Sequence, residues 1–579
     1  MSSDGETRAL ILHLALENAA KFGGKTSPGI VMGHLVARRP DLKQRSGEIL
    51  KIVADVCREV NSMSMDEISS RLSELGEVPT TQIEKKEVQD KLELQPNPGI
   101  RGFVLRFAPN PNGPLTLGHA RAALLCDHFA KKYNGTFILR FEDTSPSVKP
   151  PLLEAYDWIL GDLYWLGIGI DEIYYQSDRL HIYYAGAEKL LSMGAGYVCR
   201  CPREEFSELV KNGRPCPHRD QSPEENMRLW KAMLDGEIRQ GEAVVRVKTE
   251  LTHPNPALRD WPALRIDETT HPRVGKKYRV WPLYNWACAI DDHAMKITHV
   301  IRAKEHLTND VRQSYVYKHF GWKKPTTVTI GRVKLEGYSL SKSKMMEGLK
   351  AGEYSGFDDP RLGTVRSVIR KGIKAEVIRN AVLDLGTKSV EATLKWENLY
   401  SANRTLIDGA TPRLFFVENP VILRISGVKE AIKEIPLPNH PDNKDLGERR
   451  VPIEIKDGVL DLYLASLDLF SFDVGHEIRL MGLFNVRVDS LEQEISRANA
   501  LETPLELVEK AGVKIVQWVP VSFAVQTEVL MSDATITRGL TERNVLQHRK
   551  GEMAQFVRFG FVKLEKLEED SVSAVFAHR

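Results

Sequence analysis

The chain runs to 579 residues, 42% of them hydrophobic, enough for several domains with separate cores. Its 80 lysines and arginines against 78 aspartates and glutamates give a net charge of +2, which excludes a chain basic overall, though not a local basic surface. Six cysteines exclude a disulfide scaffold, and the lack of a signal segment or a bilayer-length apolar run makes a reducing cytoplasm, away from membranes, the expected location.

Residues 1 to about 95 read as helical. Leu12, Leu16 and Ala19 recur at helical spacing, and so do Ile68, Leu72 and Leu75. The charged run Glu84-Lys85-Lys86-Glu87 precedes Gln95-Pro96-Asn97-Pro98-Gly99, a linker that places a boundary near residue 97. Residues 103–107 are apolar and β-prone, as in a buried parallel strand. A Gly/Pro-rich loop follows at 108–117, then a helix over about 118–133 with Leu125, Phe129 and Tyr133 on one stripe. Asn134-Gly135 ends that helix, and Thr136 opens the next strand. Strand, Gly-rich loop, helix and strand make a βαβ unit, which calls for a parallel sheet continuing to about residue 325. Helical signals return over about 345–405, with a basic cluster at Arg361, Arg366, Arg370, Lys371 and Lys374. Beyond about residue 410 the pattern is β. Residues 453–459 read as a hairpin turning at Asp457-Gly458, and Val513 to Val516 and 523–529 tend to alternate, as in one or two barrels.

Two segments carry chemistry. In Pro109-Asn110-Pro111-Asn112-Gly113-Pro114-Leu115-Thr116-Leu117-Gly118-His119, a helix start aims unpaired N–H groups and its positive dipole end forward, where a phosphate fits. Gly113 and Gly118 allow close backbone approach, and His119 is placed to donate to a phosphate or ribose oxygen. In Ser339-Leu340-Ser341-Lys342-Ser343-Lys344, a flexible ammonium beside hydroxyls suits a pyrophosphate, whose charge grows in the transition state. Together they suggest adenylate chemistry. Cys199-Arg200-Cys201 and Cys216-Pro217-His218 offer three thiols and one imidazole, a tetrahedral zinc set closing one knuckle, with free cysteines in a hairpin as the alternative. Cys57, Cys126 and Cys288 sit in apolar surroundings and read as core.

The pair resembles the HIGH and KMSKS signatures of class I aminoacyl-tRNA synthetases. Arg106-Phe107-Ala108-Pro109-Asn110-Pro111-Asn112-Gly113, Leu139-Arg140-Phe141-Glu142-Asp143-Thr144, and the stretch from Arg279-Val280-Trp281-Pro282-Leu283-Tyr284-Asn285 through Asp291-Asp292-His293 to Thr298-His299-Val300-Ile301-Arg302 resemble the glutamyl/glutaminyl branch. Glu353-Tyr354-Ser355-Gly356-Phe357-Asp358-Asp359-Pro360-Arg361-Leu362 and Gln555-Phe556-Val557-Arg558-Phe559-Gly560-Phe561 resemble its archaeal-type glutamyl members, and the Cys/His set resembles the zinc-binding insertion of bacterial ones.

The resemblance implies a multidomain fold. An α-helical N-terminal domain would span 1–97, and an α/β Rossmann-like catalytic domain 98–335, with an acceptor-binding insertion at about 195–275. A KMSKS loop and helical connecting subdomain would span 336–410, and all-β anticodon-binding barrels 411–579. It implies ATP-dependent activation of L-glutamate and transfer to the terminal ribose of tRNA-Glu, with Mg²⁺ on the triphosphate, zinc in the insertion, and tRNA required for the first step. Charging of tRNA-Gln as well is left open, as is contact of a monomeric chain with another synthetase or an amidotransferase. The alternatives are glutaminyl-tRNA synthetase, whose loop typically reads Pro-Pro-Glu-Pro where this chain has Ala108-Pro109-Asn110-Pro111, and a non-catalytic tRNA-binding paralogue.

Matched position by position, His119 and Lys342 are the catalytic pair. Pro109, Asn112, Gly113, Thr116, Gly118, Ser341 and Ser343 complete the ATP site. Arg106, Ala108, Glu142, Tyr284 and Arg302 form the glutamate site, with arginine forks for the side-chain carboxylate and Glu142 for the ammonium. Three positions depart from the pattern. Thr116 replaces the first histidine of one signature, Ser339 the first lysine of the other, and Cys288 stands where bacterial relatives often carry asparagine. The basic cluster of 361–374 is a candidate tRNA face, and Trp518, Phe556 and Phe559 are either base-stacking or core.

Overall fold

A computed structural model describes residues 3–21, 24–38, 46–74, 92–429, 431–501 and 514–579. Leu75, the run Glu84-Lys85-Lys86-Glu87 and Val513 lie outside the described residues. The chain divides into two compact units, Met1–Glu93 and Leu94–Arg579. The first has four helices among its described residues: α1 (Ser3–Lys21), α2 (Pro28–Arg38), α3 (Ser46–Asn61) and α4 (Met65–Glu74). Its core takes Ile11, Leu14, Leu16, Ala19, Val53, Val56 and Ile68 from successive turns, while Leu12 and Leu72 pack at its margin.

The second unit is built on a parallel sheet. Its strands are β1 (Val104–Phe107), β2 (Thr136–Phe141), β3 (Glu172–Tyr175), β8 (His299–Ala303) and β9 (Thr326–Ile330), in the order β3-β2-β1-β8-β9. Helices α5 (Leu117–Lys132), α6 (Leu153–Trp165) and α7 (Leu180–Ser192) follow its first three strands, as right-handed parallel connections require. Between α7 and β8 the chain forms an antiparallel sheet of β4 (Gly196–Cys199), β5 (Val244–Val247), β6 (Pro262–Ile266) and β7 (Val280–Pro282). Helices α8 (Arg203–Lys211) and α9 (Pro223–Asp235) lie within that excursion. Helix α10 (Tyr284–Ala294) returns the chain to the main sheet, and α11 (Leu307–Phe320) joins β8 to β9. Then come α12 (Lys342–Lys350) and the helices Val365–Arg370, Ala375–Leu383 and Trp396–Ile407.

The C-terminal region holds two closed rings, one inserted in the other. In the seven-stranded sheet, Leu414 pairs with Phe556 at one edge and Val417 with Leu540 at the other. Both edge strands belong to the segment 413–418, so this segment closes the sheet on itself. Segment 515–520 does the same for the second sheet, since Ile515 and Val516 pair beside Arg479 and Leu480 while Val519 and Pro520 pair beside Tyr463 and Leu462. Each ring has its own core, around Leu414, Phe416 and Phe556 in the outer one and Leu423, Leu462 and Trp518 in the inner one. The hairpin at Asp457-Gly458 is present, with φ of 53° and 72°, as its two-residue turn demands.

The basic cluster is largely paired within the chain, and the three aromatics take the core alternative. The arginines of the cluster are half-buried and engaged with partners in the chain. Arg361 pairs with Asp359, Arg370 makes a two-bond fork to Glu565, and Arg366 lies over Trp158. Lys371 is buried against Tyr338 and Trp396, which leaves Lys374 as the exposed member. Trp518 and Phe556 are fully buried, and Phe559 packs on Phe416 and Phe576, so these aromatics build cores. Among the described residues no helix is long and apolar enough to cross a membrane.

Candidate active site

The loop after β1 and the loop before α12 meet. The Lys342 ammonium donates to the carbonyls of Gly113 (3.0 Å) and Asn110 (3.4 Å) and to Asn112 Oδ1 (3.5 Å). Gly113 has φ of 146°, and a side chain there would press on Phe357 at 3.3 Å, so this tight crossing depends on glycine. Gly118 is not crowded in this way, since an added Cβ would meet nothing nearer than Thr116 Oγ1 at 3.5 Å. The loop is stitched down on both sides. Glu142 N–H donates to the Pro109 carbonyl (2.9 Å), Leu152 N–H to that of Pro111 (2.9 Å), and Asn110 Nδ2 to that of Glu142 (2.7 Å). Leu117 N–H donates to Gly363 O, and Val365 N–H to Leu115 O. Leu115 N–H in turn donates to the buried Asp162 carboxylate, whose pKa burial pushes up to about 7.

Thr116 N-caps α5, and His119 reaches back to it: Nδ1 lies 3.2 Å from Thr116 N and 2.9 Å from Oγ1. Burial, aided by the Lys342 charge, lowers the His119 pKa to about 3, so its ring is neutral. Burial likewise brings Lys342 down to about 8. Ser341 N-caps α12, while Ser339, Ser341, Ser343 and Lys344 are exposed.

The second cluster has a helical stripe at its centre. Tyr284, Cys288 and Asp292 recur every fourth residue on α10 and so share one face. That face meets arginines on neighbouring strands, Arg106 of β1 and Arg140 of β2. Arg106 donates to both oxygens of Asp292, through Nε (3.2 Å) and Nη2 (3.3 Å). Arg140 donates to Asp292 Oδ1 (2.6 Å) and to Glu142 Oε1 (3.2 Å). Glu142 lies one residue past the end of β2, two positions after Arg140, within reach of its guanidinium. Burial alone would raise the pKa of Asp292, but the two guanidiniums hold it well below the usual carboxylate range. Burial raises that of Glu142 against the same two arginines, and pushes the Cys288 thiol up to about 12.

Arg302 on β8 donates to Asp310 (2.8 Å) and Gln313 (3.1 Å), and Tyr284 OH lies 3.3 Å from His306 Nδ1. Tyr284 shares its helix face with Asp292, which binds Arg106 and, through Arg140, joins Glu142, and the charge of Arg302 also acts on Tyr284. Ala108 lies between this cluster and the ATP-type loop. Both arginines already have carboxylate partners, but Arg302 Nε is buried with no hydrogen-bond partner among the described residues, and so is the Tyr317 hydroxyl.

Sequence reasoning missed Arg140, Asp292 and Asp162. The first two stand inside quoted motifs, and an arginine and an aspartate that must balance Arg106 and Glu142 in a buried site were the available signal.

Separately, Cys199, Cys201, Cys216 and His218 converge at the end of β4. Their ligand atoms all lie within 4.8 Å of one another, with contacts of 3.4–3.6 Å. The cysteines are free thiols. A tetrahedron of thiolates about 2.3 Å from a zinc ion has edges of roughly 3.8 Å, so the four donors have the size and chemistry of a closed metal site.

Known proteins match the chain along its length. Residues 103–408 match the family described as "tRNA synthetases class I (E and Q), catalytic domain", and residues 411–504 match its anti-codon binding domain. The chain is 46% identical over 580 residues to a glutamate–tRNA ligase of Pyrococcus furiosus, covering 99% of this chain and all of that one. It is 45% identical to the Thermococcus kodakarensis protein of the same name (99% and 100% covered), and 46% identical to that of Methanopyrus kandleri (99% of each). The chain therefore belongs to the class I tRNA synthetases of the glutamate and glutamine branch.

Proposed function

We propose that the protein is a glutamate–tRNA ligase whose two clusters divide the labour. The observation that carries this reading is the meeting of the Lys342 ammonium with the 110–113 loop, which is hydrogen-bonded to Glu142 of the buried Arg106–Asp292–Arg140 cluster, taken here as the amino-acid pocket with Tyr284 and Arg302. ATP lies against the loop and the N-terminus of α5, with Mg²⁺ accompanying its phosphates. Glutamate enters the pocket, its side-chain carboxylate toward the arginines and its ammonium toward Glu142. The α-carboxylate oxygen attacks the α-phosphorus and the bond to pyrophosphate breaks, leaving glutamyl-adenylate. Lys342 exchanges its carbonyl partners for phosphate oxygens, and His119 donates to them; both contacts strengthen as charge grows on the leaving group. The terminal ribose hydroxyl of tRNA then attacks the glutamyl carbonyl and AMP leaves.

In this reading the excursion over 196–282 receives the acceptor end, and the paired rings beyond residue 411 the anticodon. Zinc held by Cys199, Cys201, Cys216 and His218 would brace the excursion, tying the end of β4 to the loop after α8.

tRNA-dependent ATP–pyrophosphate exchange tests the reading. Exchange with glutamate and not glutamine is expected. Exchange with glutamine alone would overturn the assignment, and silence with both would favour a tRNA-binding protein.

A further inference from the structure

Thr116 occupies the place of a signature histidine, and its contacts set the state of the histidine that remains. It is the N-cap of α5 in extended conformation (φ −99°, ψ 164°), with His119 three residues on, in the first turn. From that position a side chain folds back onto the N-cap, as in a capping box. The group it meets is the Thr116 backbone N–H, 3.2 Å from Nδ1. A backbone N–H only donates, so Nδ1 must present its lone pair. In a neutral imidazole the proton then sits on Nε2. The Thr116 hydroxyl, 2.9 Å from the same nitrogen, has a free rotor and adds a second donor to it. Thr116 is itself buried and pinned, since its neighbours Leu115 and Leu117 hydrogen-bond to Val365 and Gly363. Among the described residues no group bonds Nε2.

We propose that Thr116 is a positioning residue that locks His119 in its Nε2–H tautomer, leaving that N–H as a fixed donor toward the ATP phosphates. The role of the donor rests on the function proposed above; the tautomer does not. The backbone N–H fixes the tautomer and the hydroxyl reinforces it, so serine keeps both donors and valine only the first.

The test uses the full-length protein labelled with ¹⁵N-histidine, the His119 signals being assigned from their loss in His119→Asn. The expected result is a bare Nδ1 and a protonated Nε2 in the free enzyme, unchanged in Thr116→Ser. In glutamate-dependent exchange, Thr116→Ser, which keeps the hydroxyl, should retain more activity than Thr116→Val. Thr116→Val, which keeps the amide but loses the hydroxyl, should drop in kcat by about fivefold, the scale of one neutral hydrogen bond, with KM for ATP moving less. A proton on Nδ1, or an unchanged kcat in Thr116→Val, would overturn the proposal. Failure of the parent enzyme to exchange would fault the functional reading instead, and the nuclear resonance result alone would then decide the tautomer.

Discussion

The two halves of the site handle charge in opposite ways. Around α10, Arg106 and Arg140 are neutralised by Asp292 and Glu142, all within a buried network. At the loop crossing, Lys342 is held by carbonyl oxygens and one amide oxygen, with no carboxylate in hydrogen-bond contact among the described residues. A buried ion pair resists rearrangement, because breaking it strands a charge. Carbonyl contacts to an ammonium are weaker and readily traded for phosphate oxygens. The first arrangement suits a pocket that must keep its shape for one amino acid. The second suits a group that must change partners within each turnover.

Four experiments would break or sharpen this contrast. Asp292→Ala should have the largest effect, a loss of about 3–5 kcal/mol in urea unfolding, because two guanidiniums are left buried without their shared partner. If the variant lost less than about 1 kcal/mol, the network would not be the rigid element. Lys342→Ala should leave that stability nearly unchanged yet lower the exchange rate by roughly tenfold or more; an unaltered rate would pass the role to Lys344 or another group. The pH profile should separate the halves further. Lys342 is protonated below its pKa of about 8, so kcat/KM for ATP should fall as pH rises through 8. His119, neutral above about pH 3, should add no step between pH 5 and 7. A step near 6.5 would mean that the ring is not shielded as described. The smallest effect on catalysis is expected at the thiol cluster. Metal analysis should find one zinc per chain, absent in Cys216→Ser, with exchange reduced less than in Lys342→Ala. A metal-free parent protein would remove zinc from the account.

Much of the phosphate side was legible because its signals are local. Gly113, Thr116 and His119 lie within seven positions, and a helix start has a recognisable signature. The amino-acid side was legible only through its motifs. Arg140 and Asp292 are 152 positions apart, and nothing in the spacing of either announces the other. The basic cluster misled for the same reason: Arg370 meets Glu565 across 195 positions, so an apparently free charge was already paired. The thiol set was readable from spacing, whereas its convergence depends on α8 folding the chain back between Cys201 and Cys216. Barrels were legible as a class, but not which segments close them, because 413–418 and 515–520 pair through runs of two or three residues, too short to show alternation.

The outer ring carries a consequence for how the molecule is made. Its closing segment, 413–418, is synthesised on the order of a hundred residues before the strands that flank it, with the whole inner ring in between. During that interval two apolar faces, at Leu414 and Phe416, have no partner from their own sheet. An early, rapidly formed inner ring would bring residues 420 and 520 together and shorten the effective loop that the outer ring must close. Weakening the inner core, which also packs on Phe415 and Val417 of the closing segment, should therefore slow assembly of the outer ring and expose the waiting strand to aggregation.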